Sequence, residues 1–313
     1  MKAAAQKEVS NGKKGIVRDF KKNKGLYLMI LPVLLYYAIF CYKPMYGAIM
    51  SFQDFSPRLG FWGSDWVGLK HFTNFFTSSD FPRLLRNTLT ISISTLIVSF
   101  PFPIILALFI NEIRITKFKK TIQTVSYLPH FVSVVVTCGM IKTFVASDGF
   151  IGIFASLFTG GEPENLLLKP GAFVPIYVIS KIWGTIGWDS IMYLSALSAI
   201  DQEQYESADI DGAGRFKKMW YITVPSLKGT MVVLFILGVG GIMNLGYEKI
   251  MLLYSPAIYE VSDVISTYVY RMAFNSQNWS YSAAIGLFNS VCNMLLVVGA
   301  NTITRKLNGS ALW

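Results

Sequence analysis

The chain has 313 residues, of which 53% are hydrophobic and 15% are charged, and its mean hydropathy is +0.46. Soluble globular chains carry about 25% charged residues, so this chain has too little polar surface to cover an exterior that faces water. The composition therefore excludes an ordinary soluble domain and indicates one membrane domain.

The formal net charge of +10 raises the question of a partner. A basic chain can bind nucleic acid or anionic lipid, or the charge can reflect membrane topology. Here the basic residues cluster beside apolar segments, as the positive-inside rule describes, and no nucleic-acid motif accompanies them. The three cysteines and two histidines are far apart in the sequence and show no metal-ligand or redox spacing, so no metal site is expected.

The N-terminal stretch from Lys2 to Lys24 is basic and precedes an apolar run without a small-residue cleavage site. This arrangement differs from a secretory signal. We interpret residues 1–25 as a cytoplasmic tail followed by an uncleaved first membrane span.

Six apolar segments approach the roughly 20 residues that a helix needs to cross a bilayer. They run near Leu26–Tyr42, Leu89–Ile110, Val125–Val145, Phe173–Leu194, Met231–Tyr254 and Ala283–Ile303. Pro101 and Pro103 predict a kink in the second segment. The predicted fold is an all-α, polytopic membrane bundle of about six transmembrane helices over residues 26–305, with a short cytoplasmic end at 306–313.

The distribution of lysine and arginine predicts the topology. With both termini in the cytoplasm, 18 of these residues lie in inside segments and seven in outside loops. This asymmetry favours cytoplasmic termini. It also places the connection between the fourth and fifth segments, residues 199–225, on the cytoplasmic side.

Residues 199–225 read as two short helices separated by a break. Asp201 is placed to cap the first helix, and Gly212 and Gly214 supply the turn. The second piece, Arg215–Tyr221, is basic and amphipathic, and Pro225 leads toward the fifth segment. Such a pair of helices would move as a rigid body and transmit force from a soluble motor. An ordinary interfacial loop with solvated charges is the alternative on physical grounds.

The residue pattern of this loop carries a family resemblance. It contains Glu206-Ser207-Ala208, then Asp211-Gly212-Ala213, then Ile222-Thr223-Val224-Pro225. This pattern resembles the "EAA" coupling loop of binding-protein-dependent ABC importer permeases. The sequence departs from that pattern at Ser207, where the family has Ala, and at Val224, where it has Leu. The spacing is unchanged.

Further runs are similar to the carbohydrate group of these permeases, which includes maltose-type sugar permeases, and most of all to its LplB-type subgroup. They are Trp66-Val67-Gly68-Leu69-Lys70-His71-Phe72, Arg86-Asn87-Thr88-Leu89, Tyr127-Leu128-Pro129-His130-Phe131-Val132-Ser133 and Trp183-Gly184-Thr185-Ile186-Gly187-Trp188. The resemblance covers the chain from about Leu26 to the C-terminus.

The resemblance implies a permease subunit of an oligosaccharide importer in a bacterial cell membrane. It implies a second, related permease subunit, two ATPase subunits and an extracellular solute-binding protein as partners. ATP would be bound by the ATPases, so this chain would hold no cofactor and catalyse no reaction; the sequence contains no phosphate-binding Gly-x4-Gly-Lys-Ser/Thr loop. The resemblance assigns ATPase coupling to Glu206, Ser207, Ala208, Asp211, Gly212, Ala213 and Pro225, with Glu206 and Gly212 in the ATPase cleft.

Two segments offer candidates for a substrate path. Polar and charged residues inside a span usually face a cavity or each other. The fourth segment contains Lys181, Trp183, Trp188 and Asp189. Aromatic rings and hydroxyl-binding groups suit a sugar, but Trp and Lys are also common as anchors at the membrane surface. Both interpretations remain open.

In the fifth segment, polar residues recur with helical spacing. Gly240, Asn244, Tyr247, Glu248 and Met251 would form one continuous stripe on a helix. Pore lining is one interpretation of this stripe. The other is helix–helix packing through Asn244 and the neighbouring glycines.

Two other function classes compete with the importer. An ion-coupled secondary sugar transporter would be expected to have inverted internal repeats and midplane carboxylates, and only Asp189 and Glu248 favour it. A membrane enzyme would need a clustered set of catalytic groups, which the sequence does not suggest.

Overall fold

The computed structural model describes residues 22–308, so only 22–25 of the predicted tail and 306–308 of the predicted C-terminal end are described. The chain divides into two units at Gly68. In the first unit, helix α1 runs over Lys24–Phe52, with a π-helical turn at Tyr37–Tyr42 and a 3-10 end at Tyr46–Phe52.

A small hairpin follows α1 in the same unit. Strand β1 (Gln53–Asp54) pairs antiparallel with β2 (Asp65–Trp66), and a short helix α2 (Gly60–Gly63) lies between them. The Gln53 side-chain amide donates to the carbonyl oxygen of Phe61 at 2.9 Å, which ties the strand to the intervening loop.

The second unit contains helices and connecting turns, with no strand among its described residues. Its helices are α3 (Lys70–Thr77), α4 (Asp80–Ser99), α5 (Pro101–Glu112), α6 (Thr116–Tyr127), α7 (Val134–Val145), α8 (Phe150–Thr159), α9 (Pro170–Ser198), α10 (Gln202–Ile210), α11 (Arg215–Ser226), α12 (Lys228–Gly240), α13 (Tyr247–Leu253), α14 (Tyr259–Ser262), α15 (Ile265–Tyr270) and α16 (Trp279–Asn308). Short 3-10 turns lie at Leu128–Phe131, Leu166–Leu168 and Pro256–Ile258, and π turns lie at Met219–Thr223, inside α11, and at Arg271–Asn275.

Four helical stretches in the described part of the chain are long and apolar enough to cross a membrane. They are Lys24–Phe52, Asp80–Glu112, Val134–Leu157 and Trp279–Lys306. A fifth is the pair α11 and α12, bent by 55°. Helix α9 has 29 residues, about 44 Å at 1.5 Å per residue, which also exceeds the hydrocarbon thickness, although Lys181 and Asp189 lower its hydropathy. The prediction of a polytopic all-α bundle is confirmed.

Proline interrupts two of the predicted segments. In the second, the hydrogen-bond ladder is interrupted after Phe100, because Pro101 and Pro103 have no backbone N–H to donate. The third segment was predicted as one helix over Val125–Val145, and this is wrong. Helix α6 ends before Pro129, and α7 begins after Ser133, whose hydroxyl accepts the Val136 N–H at 3.3 Å.

The fifth predicted segment is also not one helix. Helix α12 ends at Gly240 and α13 begins at Tyr247, so residues 241–246 lie outside regular helix. The continuous stripe predicted from Gly240 to Met251 is therefore wrong, because the helical phase is lost across the break.

Candidate functional site

The predicted coupling loop forms a helical knob between the end of α9 and the bend before α12. Asp201 caps α10, since its Oδ1 accepts the backbone N–H of Glu203 at 3.0 Å. This interaction satisfies one of the free N–H groups at the helix start, as the sequence predicts. Glu206 lies one turn further along and is exposed.

The break after α10 is a Schellman turn. Gly212 has φ +70°, and its N–H donates to the carbonyl of Asp209 at 3.1 Å. The N–H of Ala213 reaches back to the carbonyl of Ala208 at 2.8 Å. This is the hydrogen-bond pattern by which a left-handed residue ends a helix, and glycine adopts that conformation without steric cost. Gly214 has φ −68°, so only the first of the two predicted turn glycines uses a positive φ.

Two side-chain contacts hold the helices of the knob together across the turn. The Lys218 ammonium lies 2.7 Å from Oδ1 of Asp209. The hydroxyl groups of Tyr205 and Thr223 are 2.9 Å apart, and Thr223 is buried. Because these contacts join α10 to α11 at two separated points, the knob can move as one piece.

The outer surface of the knob is apolar as well as charged. Ile210, Phe216, Trp220 and Tyr221 are exposed, Ile210 by 88% and Phe216 by 83%. Four large apolar side chains exposed on one short segment are the kind of surface that can bind a partner. None of these four residues was predicted as a contact surface, although the i, i+4 spacing of Phe216 and Trp220 in the sequence is a usable signal.

The base of the knob is anchored in the helical bundle. Leu227 is fully buried at the 55° bend between α11 and α12. It packs in one cluster with Ala107 of α5 and with Tyr193 and Leu197 of α9. A displacement of the knob would therefore act directly on α5 and α9.

The second feature of the unit is a cavity of about 660 Å³ in the bundle. Its walls come from α4, α9 and the segments flanking both helix breaks. Polar groups among the lining residues are Ser92, Thr95, Ser99, His130, Thr137, Ser180, Lys181, Thr185, Asn244, Tyr247, Glu248 and Lys249. Irregular backbone at membrane depth is tolerated where it lines a cavity, which is the situation here.

Residues from two other helices stabilise the break between α12 and α13. Ser92 of α4 donates its hydroxyl hydrogen to the carbonyl of Ile242, and Asn293 of α16 accepts the N–H of Met243 at 3.1 Å. These partners replace helical hydrogen bonds that the break removes. Discontinuous helices of this kind form substrate sites in many transporters.

The other break, between α6 and α7, contributes His130 to the cavity. The His130 ring stacks on Trp188 of α9 with centroids 4.4 Å apart and an interplanar angle of 4°. Trp188 therefore contacts a lining residue but is not itself among the residues that line the cavity.

The predicted substrate-path residues are divided among different places. Lys181, Asn244, Tyr247 and Glu248 line the 660 Å³ cavity, even though the predicted stripe is broken. Asp189 lines a smaller neighbouring cavity of about 260 Å³, and Trp183 lines neither. Their role in transport stays a prediction.

Lys249 is a lining residue that the sequence analysis left out of the site. Its ammonium donates to the carbonyl of Tyr177 at 3.4 Å and lies 4.7 Å from the centre of the Tyr177 ring. The sequence feature that could have predicted this role is a lysine inside an apolar segment. Lys181 lines the same cavity and has no hydrogen bond or ion pair to any residue between 22 and 308.

A buried ionic cluster lies outside the predicted spans, next to the start of α4. Asp263 is fully buried and binds Arg271 through two contacts of 2.7 and 2.6 Å. The hydrogen bonds to Asp263 raise the pKa of Arg271, so the guanidinium stays charged. Asn87 of α4 donates to the Asp263 carbonyl at 2.9 Å, which fixes α4 to the α14–α15 segment.

Comparison with known proteins decides the family. Residues 75–309 match the family described as binding-protein-dependent transport system inner membrane component. The chain belongs to this family. It is therefore a multi-pass membrane transport component, which excludes the membrane enzyme.

Individual members of the family align over nearly the whole chain. The chain is 45% identical over 294 residues to Protein LplB of Bacillus subtilis (strain 168), covering 94% of this chain and 92% of that one. It is 42% identical over 292 residues to the polygalacturonan/rhamnogalacturonan transport system permease protein YteP of the same organism, covering 93% and 91%.

A solved structure extends the similarity to three dimensions. A chain in the crystal structure of a bacterial alginate ABC transporter, in complex with alginate pentasaccharide-bound periplasmic protein, has a TM-score of 0.84 and 39% sequence identity. The alignment covers 94% of this chain and 99% of that chain. The predicted family and fold are confirmed.

Proposed function

We propose that the chain is one of two permease subunits of an ATP-driven importer that takes up oligosaccharides. Relatives named for oligosaccharide transport support a sugar cargo, among them the arabinooligosaccharides transport system permease protein AraP of Bacillus subtilis (strain 168), 27% identical over 294 residues. An extracellular solute-binding protein delivers the sugar, and a second permease subunit completes the pore.

The knob is the part that receives mechanical work. Two ATPase subunits bind ATP, and their closure moves the coupling loops of both permeases. The capped α10, the Schellman turn at Gly212 and the Asp209–Lys218 ion pair make the knob stiff enough to pass this motion on. The motion of the knob reaches the bundle through the packing of Leu227 against α5 and α9. This chain does no covalent chemistry and needs no cofactor of its own.

Both termini lie in the cytoplasm in this proposal. The basic residues of the tail and of the two predicted inside loops support this orientation through the positive-inside rule. The knob is then in the same compartment as the ATPases.

The cavity favours sugars that carry carboxylates. Lys181 and Lys249 come from different helices and line one cavity, where Glu248 is the only acidic lining residue among those described. Unpaired charge in a membrane-embedded cavity is expensive, so a lysine such as Lys181 gains from an anionic cargo. The relatives named for polygalacturonan and for alginate support the same substrate class. The two lysines are the observation that carries this assignment.

Reconstitution of the complete transporter in proteoliposomes tests the proposal. We expect ATP-dependent uptake of radiolabelled trigalacturonate and little uptake of a neutral trisaccharide. Lys181→Met and Lys249→Met should each lower trigalacturonate uptake, while the matched variant Lys142→Met, whose side chain is outside the cavity, should not. Equal uptake of both sugars would overturn the acidic class, and uptake without ATP would overturn the importer.

A further inference from the structure

Helix α4, with Phe100 at its end, meets α12 and the break that follows it along three successive contacts. Ser92, Leu96 and Phe100 are four residues apart and so share one face of α4 and its end. Ser92 binds the carbonyl of Ile242, and the Phe100 ring lies 5.4 Å from the ring of Phe235. Between these two contacts, Leu96 faces Gly238.

The Leu96–Gly238 contact is unusually close. A Cβ placed on Gly238 would lie 2.8 Å from Cδ1 of Leu96, well inside the 3.5–4.0 Å of a favourable carbon contact. The leucine side chain therefore occupies space that any other residue at position 238 would fill.

The same two residues separate the two cavities. Leu96, Ser99 and Gly238 line both the 660 Å³ and the 260 Å³ cavity. The other lining residues of the smaller cavity are Phe100, Pro103, Asp189, Met192, Tyr193 and Leu234. Along both helices these positions lie between the large cavity and the base of the knob, so the small cavity is the next compartment on the way to the cytoplasmic side.

We propose that Leu96 seated on Gly238 is the neck that separates the sugar cavity from the cytoplasmic compartment, and that the absent Cβ at position 238 allows the neck to close. The assignment goes beyond the substrate class and rests on the cavity being the transport path proposed above. Gly238 lies on α12, which joins the knob through the bend at Leu227. Movement of the knob therefore shifts Gly238 against Leu96 and opens the neck.

The test measures access to the cavity and does not depend on the cargo. In the complete transporter, with the three native cysteines replaced by alanine, Thr137→Cys places a thiol on the wall of the large cavity. A membrane-impermeant methanethiosulfonate reagent is added to inside-out vesicles from the ATPase side. The labelling rate then reports how often the neck is open.

We expect Leu96→Ala to increase the labelling rate about tenfold, which corresponds to about 1.4 kcal/mol in the open–closed equilibrium. Gly238→Ala should also increase the labelling rate, because the new methyl group displaces the Leu96 side chain. In the Leu96→Ala background, however, Gly238→Ala should decrease the rate, since the methyl group then fills the empty neck. This reversal of sign is the signature of direct contact in a double-mutant cycle.

Gly240→Ala is the matched control. A Cβ at Gly240 would lie 2.6 Å from Val297 of α16, an equally tight contact outside both cavities. It should lower thermal stability and leave labelling unchanged. Additive effects of the Leu96 and Gly238 variants, or faster labelling in Gly240→Ala, would overturn the neck. If the labelling rates show the predicted reversal of sign but the transporter takes up no acidic sugar, the proposed cargo is overturned and the assignment of the neck is retained.

Discussion

The N–H of Ala213 donates to the carbonyl of Ala208 at 2.8 Å, across a glycine held at φ +70°. This hydrogen bond closes the turn that sets the direction of α11 relative to α10. It gives a physical reason for the spacing of Ala208, Asp211 and Gly212 in the loop. The turn needs a left-handed residue at position 212, four residues after Ala208.

Gly212→Ala should impair coupling through the backbone alone. A Cβ at Gly212 would meet no atom within 4 Å, so the substitution adds no clash with the rest of the permease. The left-handed conformation costs a non-glycine residue about 1–2 kcal/mol, which disfavours the observed turn. We expect a clear loss of ATP-dependent uptake in proteoliposomes.

Two further variants at the same position separate conformation from charge. Asn adopts the left-handed conformation more readily than Ala, so Gly212→Asn should retain more uptake. Gly212→Asp should abolish transport while the solute-binding protein still binds sugar, because it adds a charge on the ATPase-facing surface. Equal uptake by the Ala and Asn variants would contradict the conformational explanation.

Tyr205→Phe tests whether the knob must be stiff. The variant removes the hydrogen bond to the buried Thr223 hydroxyl, a loss of about 1 kcal/mol. We expect the number of sugars taken up per ATP hydrolysed to fall, with substrate affinity unchanged. Tyr221→Phe is the control, because it removes an exposed hydroxyl from the same knob and keeps the apolar ring on its surface. A similar drop in both variants would argue against a role for the internal tether.

The exposed apolar residues of the knob should bind the ATPase. Phe216→Ala and Trp220→Ala are expected to weaken co-purification of the ATPase subunits and to leave the thermal stability of the permease unchanged, since both side chains are exposed. Ile303→Ala removes an apolar residue of similar exposure from α16 and should not affect assembly. Retention of the ATPase by the double variant Phe216→Ala/Trp220→Ala would exclude these side chains from the interface.

Arg271→Met should destabilise the permease. It leaves the fully buried carboxylate of Asp263 without its main partner, and breaking a buried pair in this way costs about 3–5 kcal/mol. The measurement is the midpoint of thermal denaturation in detergent. Arg86→Met is the matched control, because the Arg86–Glu260 pair is exposed and contributes about 0–1 kcal/mol. Equal shifts in the two variants would show that the buried cluster adds no special stability.

Local signals explain what the sequence could predict. The cap at Asp201 and the break at Gly212 depend on residues within a few positions of each other, and both are found where the pattern places them. The six apolar segments likewise follow from composition over a short window. Their existence was predictable, whereas the interruptions inside them were only partly so.

The helix break between α12 and α13 required information from distant residues. Ser92 and Asn293 stabilise the break from 150 and 50 residues away, so the apolar run alone predicts an unbroken helix. The membership of Lys249 in the cavity depends on the same break. The ring of Trp188 suggested a substrate contact, but in the structure it stacks on His130 and does not line the cavity.

Photo-crosslinking from the knob tests the central claim most directly. A benzophenone maleimide attached at Glu206→Cys, in inside-out vesicles of the complete transporter, should crosslink the permease to an ATPase subunit and block ATP-driven uptake. If the thiol reacts only with reagent from the outer side, or if uptake continues after efficient attachment with no ATPase crosslink, the knob does not transmit the work of the ATPases.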